Sequence, residues 1–369
     1  MPSAKMLLLL QAMLLLWAVK TVPSVRAELC DNGTGECKDL TATDCPSVFY
    51  NLNAIGSALK YCDEFNDIIC CPLPLDKQIQ NQNLNPVESS RRFEKECRRF
   101  NEMRASCRST PLIVGGTKAA GREFPFMALL GQRQRGSATI DWHCGGSLIH
   151  PKFILTAAHC LETNEKKEER LDPNFDSPKY VVRLGELDYK NETDDAQPQD
   201  FRVVNYVVHP SYDEEDNGNR KNDIALVELD SAAVFNEYVA PACLPTASGN
   251  EHLQLTAAGW GAINEGGRSS SHLLKVTLER FSVEQCSQRL EHHIDIRTQL
   301  CAGSRTSNAD TCYGDSGGPV FVQHSSFACL KQVIGITSYG LVCGEKGLPS
   351  VYTKVHLYTD WIESIVWGE

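Results

Sequence analysis

Sixteen cysteines, six of them crowded into residues 30–71, constrain what this chain can fold into more than any other feature. An even count, part clustered and part dispersed, points to disulfides formed in an oxidising compartment. The cluster comprises Cys30, Cys37, Cys45, Cys62, Cys70 and Cys71. So short and polar a segment has little apolar surface to bury, and covalent staples worth roughly 2–4 kcal/mol each would hold it together. Spacing alone does not choose among the pairings that six cysteines allow.

The N-terminus agrees with that compartment. Lys5 precedes a short apolar run, Met6 to Val19, and Val25-Arg26-Ala27 offers a cleavage site. The reading is a secretory signal peptide over 1–27, preferred to an uncleaved signal anchor because the run is too short to span a bilayer comfortably. No transmembrane segment is expected elsewhere. Residues 28–72 form the small cystine module. Residues 73–112, polar and then basic (Arg91, Arg92, Lys95, Arg98, Arg99, Arg104, Arg108), read as an exposed linker and activation segment. Residues 113–369 form one large domain. The net charge of −11 excludes nucleic acid as the main partner, since phosphate contacts need a basic surface.

The large domain reads as all-β. Short β-branched runs recur between turn signals at 152–156, 180–184, 201–209, 223–229, 274–278 and 332–337. Only the C-terminus looks helical, where Trp361, Ile362, Ile365 and Val366 form one apolar stripe.

Three strings carry chemistry: Thr156-Ala157-Ala158-His159-Cys160, Asn222-Asp223-Ile224-Ala225-Leu226 and Gly314-Asp315-Ser316-Gly317-Gly318-Pro319. A serine hydroxyl is a weak nucleophile and needs a nearby base, and that base needs a group to fix its tautomer. Ser316, His159 and Asp223 supply these in one of the known chain orders. The glycines beside Ser316 permit a tight turn that aims the N–H groups of Gly314 and Ser316 at a developing oxyanion. Each string alone is weak; all three together, in a β-rich chain with secretory features, point to a hydrolase.

Residues 113–369 resemble the trypsin/chymotrypsin-like serine proteases along their whole length. Ile113-Val114-Gly115-Gly116, Cys144-Gly145-Gly146-Ser147-Leu148, the three strings above, Ser338-Tyr339-Gly340 and Val351-Tyr352-Thr353-Lys354 carry the resemblance. It implies a double six-stranded β-barrel with a C-terminal helix, and a triad in the cleft between the barrels. It also implies disulfides Cys144–Cys160, Cys286–Cys301 and Cys312–Cys343. Asp310, six residues before Ser316, falls at the base of the primary specificity pocket, and a buried carboxylate there calls for a cationic partner. Cleavage after Arg or Lys is therefore expected. Ser338 and Gly340 belong to the pocket wall; Ser350 stands where trypsin has glycine, so the Arg/Lys preference is left open.

The resemblance also implies a zymogen. Cleavage at Leu112–Ile113 would free the Ile113 amine to pair with Asp315 and order the pocket. An enzyme with Asp310 in its pocket should not cut after leucine, so an upstream protease of apolar specificity is implied. The six clustered cysteines, ending in adjacent Cys70-Cys71, resemble the clip domain of arthropod proteases, which suggests Cys30–Cys70, Cys37–Cys62 and Cys45–Cys71. Leu112 before Ile-Val-Gly-Gly, with two linker cysteines, resembles the subgroup that includes snake and persephone. Family members act in extracellular cascades of Toll activation, patterning or melanisation, activating downstream zymogens under serpin control. Of the remaining cysteines, Cys107–Cys243 with Cys97–Cys329 is favoured over the swap. Either way the clip segment stays tethered after cleavage.

Weaker signals complete the reading. Asn32 and Asn191 head glycosylation sequons. Glu186, Asp188, Glu192, Asp194 and Asp195 form an acidic loop where calcium is a candidate, although a solvated loop is preferred; no cofactor is required. The charged loop 161–170 would lengthen one rim of the cleft. Two alternatives stay open, a non-catalytic clip-domain cofactor and a digestive trypsin.

Overall fold

The computed structural model describes residues 29–30, 35–39, 61–63, 68–72, 91–103, 117–133, 139–161, 180–214, 219–262, 269–290, 293–305, 314–340 and 346–368. The chain divides into two units, Met1–Ser89 and Ser90–Glu369. In the first, strands β1 (Leu29–Cys30), β2 (Gly35–Asp39), β3 (Tyr61–Asp63) and β4 (Ile68–Pro72) form an antiparallel sheet in the order β1-β2-β4-β3. Its register sets Cys37 opposite Cys70. The cystine pairings expected in this module and the sequon at Asn32 lie outside the described side chains and residues.

The second unit opens with a departure from the sequence reading. The basic run taken as exposed linker contains a helix, α1 (Arg92–Met103). Phe93, Cys97 and Phe100 fall four and three residues apart, so they share one face, and all three are buried. The lysine and arginines between them are that helix's solvent face. Phe93 joins the main core, while Cys97 and Phe100 pack with Cys243 and Leu330. Arg91 pairs with Asp360 and Glu363, and Arg92 donates to the carbonyls of Trp367 (2.6 Å) and Gly368 (2.5 Å).

The helix also overturns the favoured linker pairing. Cys97 is bridged to Cys243, with 5.3 Å between their Cα atoms. The buried stripe of α1 is what aims Cys97 at Cys243, and sequence spacing carried no information about that docking. Cys329 is disulfide-bonded, its partner lying outside the described residues.

After α1 come β5 (Thr117–Lys118) and the first barrel. Its strands are β6 (Met127–Arg133), β7 (Ile140–His150), β8 (Phe153–Thr156), β9 (Tyr180–Leu184), β10 (Gln199–Val208) and, beyond a short hairpin of β11 (Asp213–Glu214) with β12 (Arg220–Lys221), β13 (Ala225–Leu229). They close in the order β10-β13-β8-β7-β6-β9. Inward residues such as Leu130, Leu155, Val182 and Leu226 are wholly buried. In β10 the alternation is plain, Phe201 and Val203 inward, Arg202 and Val204 outward.

The second barrel comprises β14 (Gln254–Gly259), β15 (Leu274–Phe281), β16 (Gln299–Gly303), β17 (Pro319–Gln323), β18 (Lys331–Tyr339) and β19 (Ser350–Lys354). The order is β14-β17-β18-β19-β16-β15, and β14 pairing with β15 closes it, with β5 added at β15. Closure removes the open edges that would template aggregation. Leu255, Leu278, Leu300, Val320 and Tyr352 fill this interior.

The second barrel holds the start of the domain by a buried ion pair. Lys275 Nζ on β15 lies 2.5 Å from Glu123 Oε1, both side chains less than a tenth exposed, and Ala120 donates its N–H to the other Glu123 oxygen at 2.9 Å. The C-terminal helix expected from the sequence is present as Thr359–Val366, with Ile362 and Val366 buried. A further helix, Val283–Leu290, was missed. Its signal is a reciprocal cap: Gln285 N–H donates to Ser282 Oγ (3.2 Å) and Ser282 N–H to Gln285 Oε1 (3.3 Å). No described helix is long and apolar enough to cross a membrane.

Candidate active site

Strand register brings His159 and Asp223 together. β8 and β13 run antiparallel with Thr156 opposite Ala225, so His159, just past β8, and Asp223, just before β13, leave the sheet at the same end. His159 sits in a short 3-10 turn whose Cys160 is bridged to Cys144 on β7, which fixes the turn to the barrel wall. Asn222 has a left-handed backbone (φ 51°), tolerated better by Asn than by most residues. Its side chain is held by Tyr358 Oη–H (2.9 Å) and by Ser211 O (2.7 Å). That turn points Asp223 inward, where it is completely buried.

Three donors serve the Asp223 carboxylate, and Thr353 Oγ–H donates to its backbone carbonyl at 2.8 Å. His159 Nδ1 lies 2.7 Å from Oδ2, the His159 backbone N–H donates to Oδ1 at 3.0 Å, and Ser338 Oγ–H donates to Oδ2 at 2.5 Å. Burial pushes this carboxyl's pKa up; the His159 charge and the hydrogen bonds from His159 and Ser338 outweigh it, so the pKa lies below the usual carboxylate range. With Nδ1 committed to Asp223, Nε2 is the nitrogen left for a substrate-side partner.

Ser316 arrives from the second barrel. Its carbonyl accepts the Gly145 N–H at 2.7 Å, which ties the serine turn to β7. Gly317 (φ 74°) packs so closely on the first barrel that a Cβ would collide with Thr156 Oγ1 and Gly145 O. Gly314 also has a positive φ, 95°. The turn thus lies directly against the segment that carries His159. Ser316 Oγ and His159 Nε2 share no hydrogen bond among the described residues, a looseness common before substrate tightens such a site. Asp315 Oδ1 accepts the Gly261 N–H at 2.8 Å, and a Cβ at Gly259 or Gly261 would strike its carboxylate.

β18 pairs with β19 through an irregularity between Thr337 and Tyr339. Ser338 is the residue inside it, and a bulge of this kind re-aims a side chain. The Ser338 hydroxyl donates to Asp223, a contact that the sequence reading, which assigned Ser338 to the substrate pocket, did not foresee. Ser350 is buried beside Gly340, where a Cβ would come within 2.9 Å of Ser350 Oγ. Cys286–Cys301 braces the missed Val283–Leu290 helix against β16. Leu112, Ile113, Asp310, Cys107, Cys312 and Cys343 lie outside the described residues.

Similarity to known proteins decides the family. The family description Trypsin matches residues 113–362. The chain belongs to the trypsin family. Its trypsin-family relatives include Serine protease snk of Drosophila melanogaster, 34% identical across 92% of this chain and 78% of that protein. CLIP domain-containing serine protease B10 of Anopheles gambiae is 38% identical across 68% of each chain. Spaetzle-processing enzyme of Drosophila melanogaster is 31% identical across 80% of this chain and 76% of its own. The chain is an arthropod-type clip-domain serine protease, a serine endopeptidase of the trypsin family.

The carboxylates of the acidic loop engage protein donors. Glu186 engages Arg183 (3.2 Å) and the Leu187 N–H (2.9 Å), Asp194 accepts the Asp188 N–H (2.8 Å), and Asp195 pairs with Arg122 (2.8 Å) and Tyr238 (2.7 Å). Burial raises the Glu186 pKa, against the lowering by the Leu187 N–H and Arg183. Asn191 stands exposed in this loop, its Oδ1 accepting from Thr193. Among the described residues, the clusters of potential metal ligands contain bridged cysteines and no acidic group.

Proposed function

We propose that this chain is the zymogen of a secreted endopeptidase that activates downstream zymogens by cutting after Arg or Lys. The observation that carries the reading is the buried Asp223 held by His159 and Ser338, with the Ser316 turn tied to the same barrel wall. In this reading Ser316 Oγ attacks the carbonyl, His159 Nε2 takes its proton and later gives it to the leaving amine, and Asp223 steadies the imidazolium. Backbone N–H groups of Gly314 and Ser316 receive the oxyanion. Asp310 receives the cationic side chain, with Gly340 and Ser350 lining the wall.

Activation is assigned to cleavage at Leu112–Ile113 by an upstream protease of apolar specificity. The new Ile113 amine then pairs with Asp315, whose carboxylate already lies against Gly259 and Gly261. Relatives named for Spaetzle processing and phenoloxidase activation support a place in a proteolytic cascade, and control by a serpin is part of the same proposal. The cystine-rich unit and the apolar activation bond weigh against a digestive enzyme.

The test is to cut the purified chain at Leu112–Ile113 and assay peptides that differ only at the cleaved residue. Turnover after Arg and Lys, abolished in Ser316→Ala, is expected. Preference for Phe or Ala would remove the Asp310 assignment, and inertness in both proteins would favour a non-catalytic cofactor.

A further inference from the structure

We propose that Arg220 makes the enzyme prefer an acidic side chain at the residue immediately before the one it cuts after. This deepens the proposed function and rests on the placement of Ser338 and Gly340 at the substrate pocket.

The β11–β12 hairpin leaves the first barrel between β10 and β13 and leans on the second. Tyr339 Oη–H donates to Asn219 Oδ1 at 2.7 Å, and Gln299 Nε2 donates to the Arg220 carbonyl at 2.9 Å. Asn219 and Gln299 are both buried, so the backbone beneath Arg220 is fixed. The Arg220 guanidinium is held at two points. Nε donates to Glu214 Oε1 at 2.9 Å and Nη1 to the Ser338 carbonyl at 3.0 Å.

A guanidinium has five N–H donors, and these contacts use two. Nη2 has no partner among the described residues, and the side chain is 24% exposed. Nη2 thus keeps both of its N–H groups uncommitted, and they can give a carboxylate charge-assisted hydrogen bonds. Glu214 contacts Nε alone, and its other oxygen accepts from Tyr212 Oη–H at 3.3 Å. It therefore orients the guanidinium without occupying Nη2.

The position sets which substrate residue is read. His159 delivers a proton to the leaving amine, so the departing half of the substrate lies on the His159 side. Ser338, on the pocket wall, lies on the side of the retained acyl half. A side chain that reaches Nη2 beside the Ser338 carbonyl belongs to the residue next to the pocket residue within that half. An aspartate or glutamate there gains a charge-assisted pair. An apolar side chain would cover the guanidinium without satisfying it, and a basic one would be repelled.

The experiment uses the full-length chain cut at Leu112–Ile113 and peptides with Arg at the cleaved position and Asp, Glu, Ala or Lys before it. Wild type is expected to favour Asp or Glu over Ala by about tenfold in kcat/KM, with the advantage shrinking as salt rises. Arg220→Ala should flatten the series, and Arg220→Glu should favour Lys. The ratio between substrates is taken within each protein, so loss of folded enzyme cancels. A flat wild-type series, or an acidic preference that survives Arg220→Ala, overturns the proposal. Absence of cleavage after Arg and Lys in every peptide would instead defeat the pocket assignment on which it rests.

Discussion

Ser338 donates its hydroxyl to the same Asp223 oxygen that faces the His159 ring, at 2.5 Å and 2.7 Å respectively. The first residue comes from the second barrel and the second from the first, so the carboxylate is gripped across the cleft. Removing the Ser338 hydroxyl leaves a buried carboxylate one donor short, and hydrogen bonds to charged groups are worth about 1.5–3 kcal/mol. Ser338→Ala should therefore lower kcat at least about tenfold with little change in KM. Ser338→Thr, which keeps the donor, should recover much of the loss. Equal kcat in Ser338→Ala and wild type would remove the positioning role.

Acid should destabilise the domain in two stages. Burial lowers the pKa of His356, aided by the charges of Arg91 and Lys354, and lowers those of His150 and His209. Their folded pKa values lie below the unfolded value of about 6.5, so the unfolded chain binds more protons and stability falls as pH drops through that value. Asp223 is also depressed, so its contribution is full above about 3.9 and is lost as pH falls through its lower folded pKa. Thermal midpoints from pH 8 to pH 3 should show both declines. His356→Gln should weaken the first and leave the second; an unchanged upper stage in that variant would reject the His356 contribution.

The Glu123–Lys275 pair predicts an asymmetry between single and double changes. Glu123→Gln leaves an ammonium buried without its counter-charge, and breaking such a pair costs about 3–5 kcal/mol. Glu123→Leu with Lys275→Met should cost much less, because no charge is stranded. Denaturant unfolding of the two proteins would show the difference, and equal losses would contradict the paired reading.

Docking of α1 should be measurable apart from the disulfide. Phe100 packs edge-on against Phe235 with ring centroids 5.8 Å apart. Phe100→Ala should cost about 3–5 kcal/mol by removing a buried aromatic. Hydrogen exchange over 92–103 should rise in that variant while exchange in β8 and β13 stays protected. Unchanged exchange in α1 would indicate that the bridge alone holds it.

Much of this was legible in the residues. The runs at 180–184 and 274–278 alternate or branch strongly enough to name strands, and the three reactive strings located His159, Asp223 and Ser316 before any fold was known. What escaped has physical causes. The α1 stripe has only three apolar residues among charges, so composition masked its periodicity. The Ser338 contact depends on a bulge, which no pattern of period two announces. Arg220 looks like an ordinary loop cation until the hairpin places it on the Ser338 carbonyl. The Cys97–Cys243 match needed the docking of α1, which spacing does not encode.

That bridge has a topological consequence. Cys97 and Cys243 are 146 residues apart, and residues 112 and 113 lie between them. In the intact chain the disulfide closes a covalent ring, and ring closure restricts the unfolded ensemble. A cut at Leu112–Ile113 opens the ring while leaving its pieces joined. After the cut this bond is a splice between two strands of polymer, and it no longer closes the ring that ran through residues 112 and 113. On this account the mature protein unfolds from a different reference state than its precursor, with the same cystine in place.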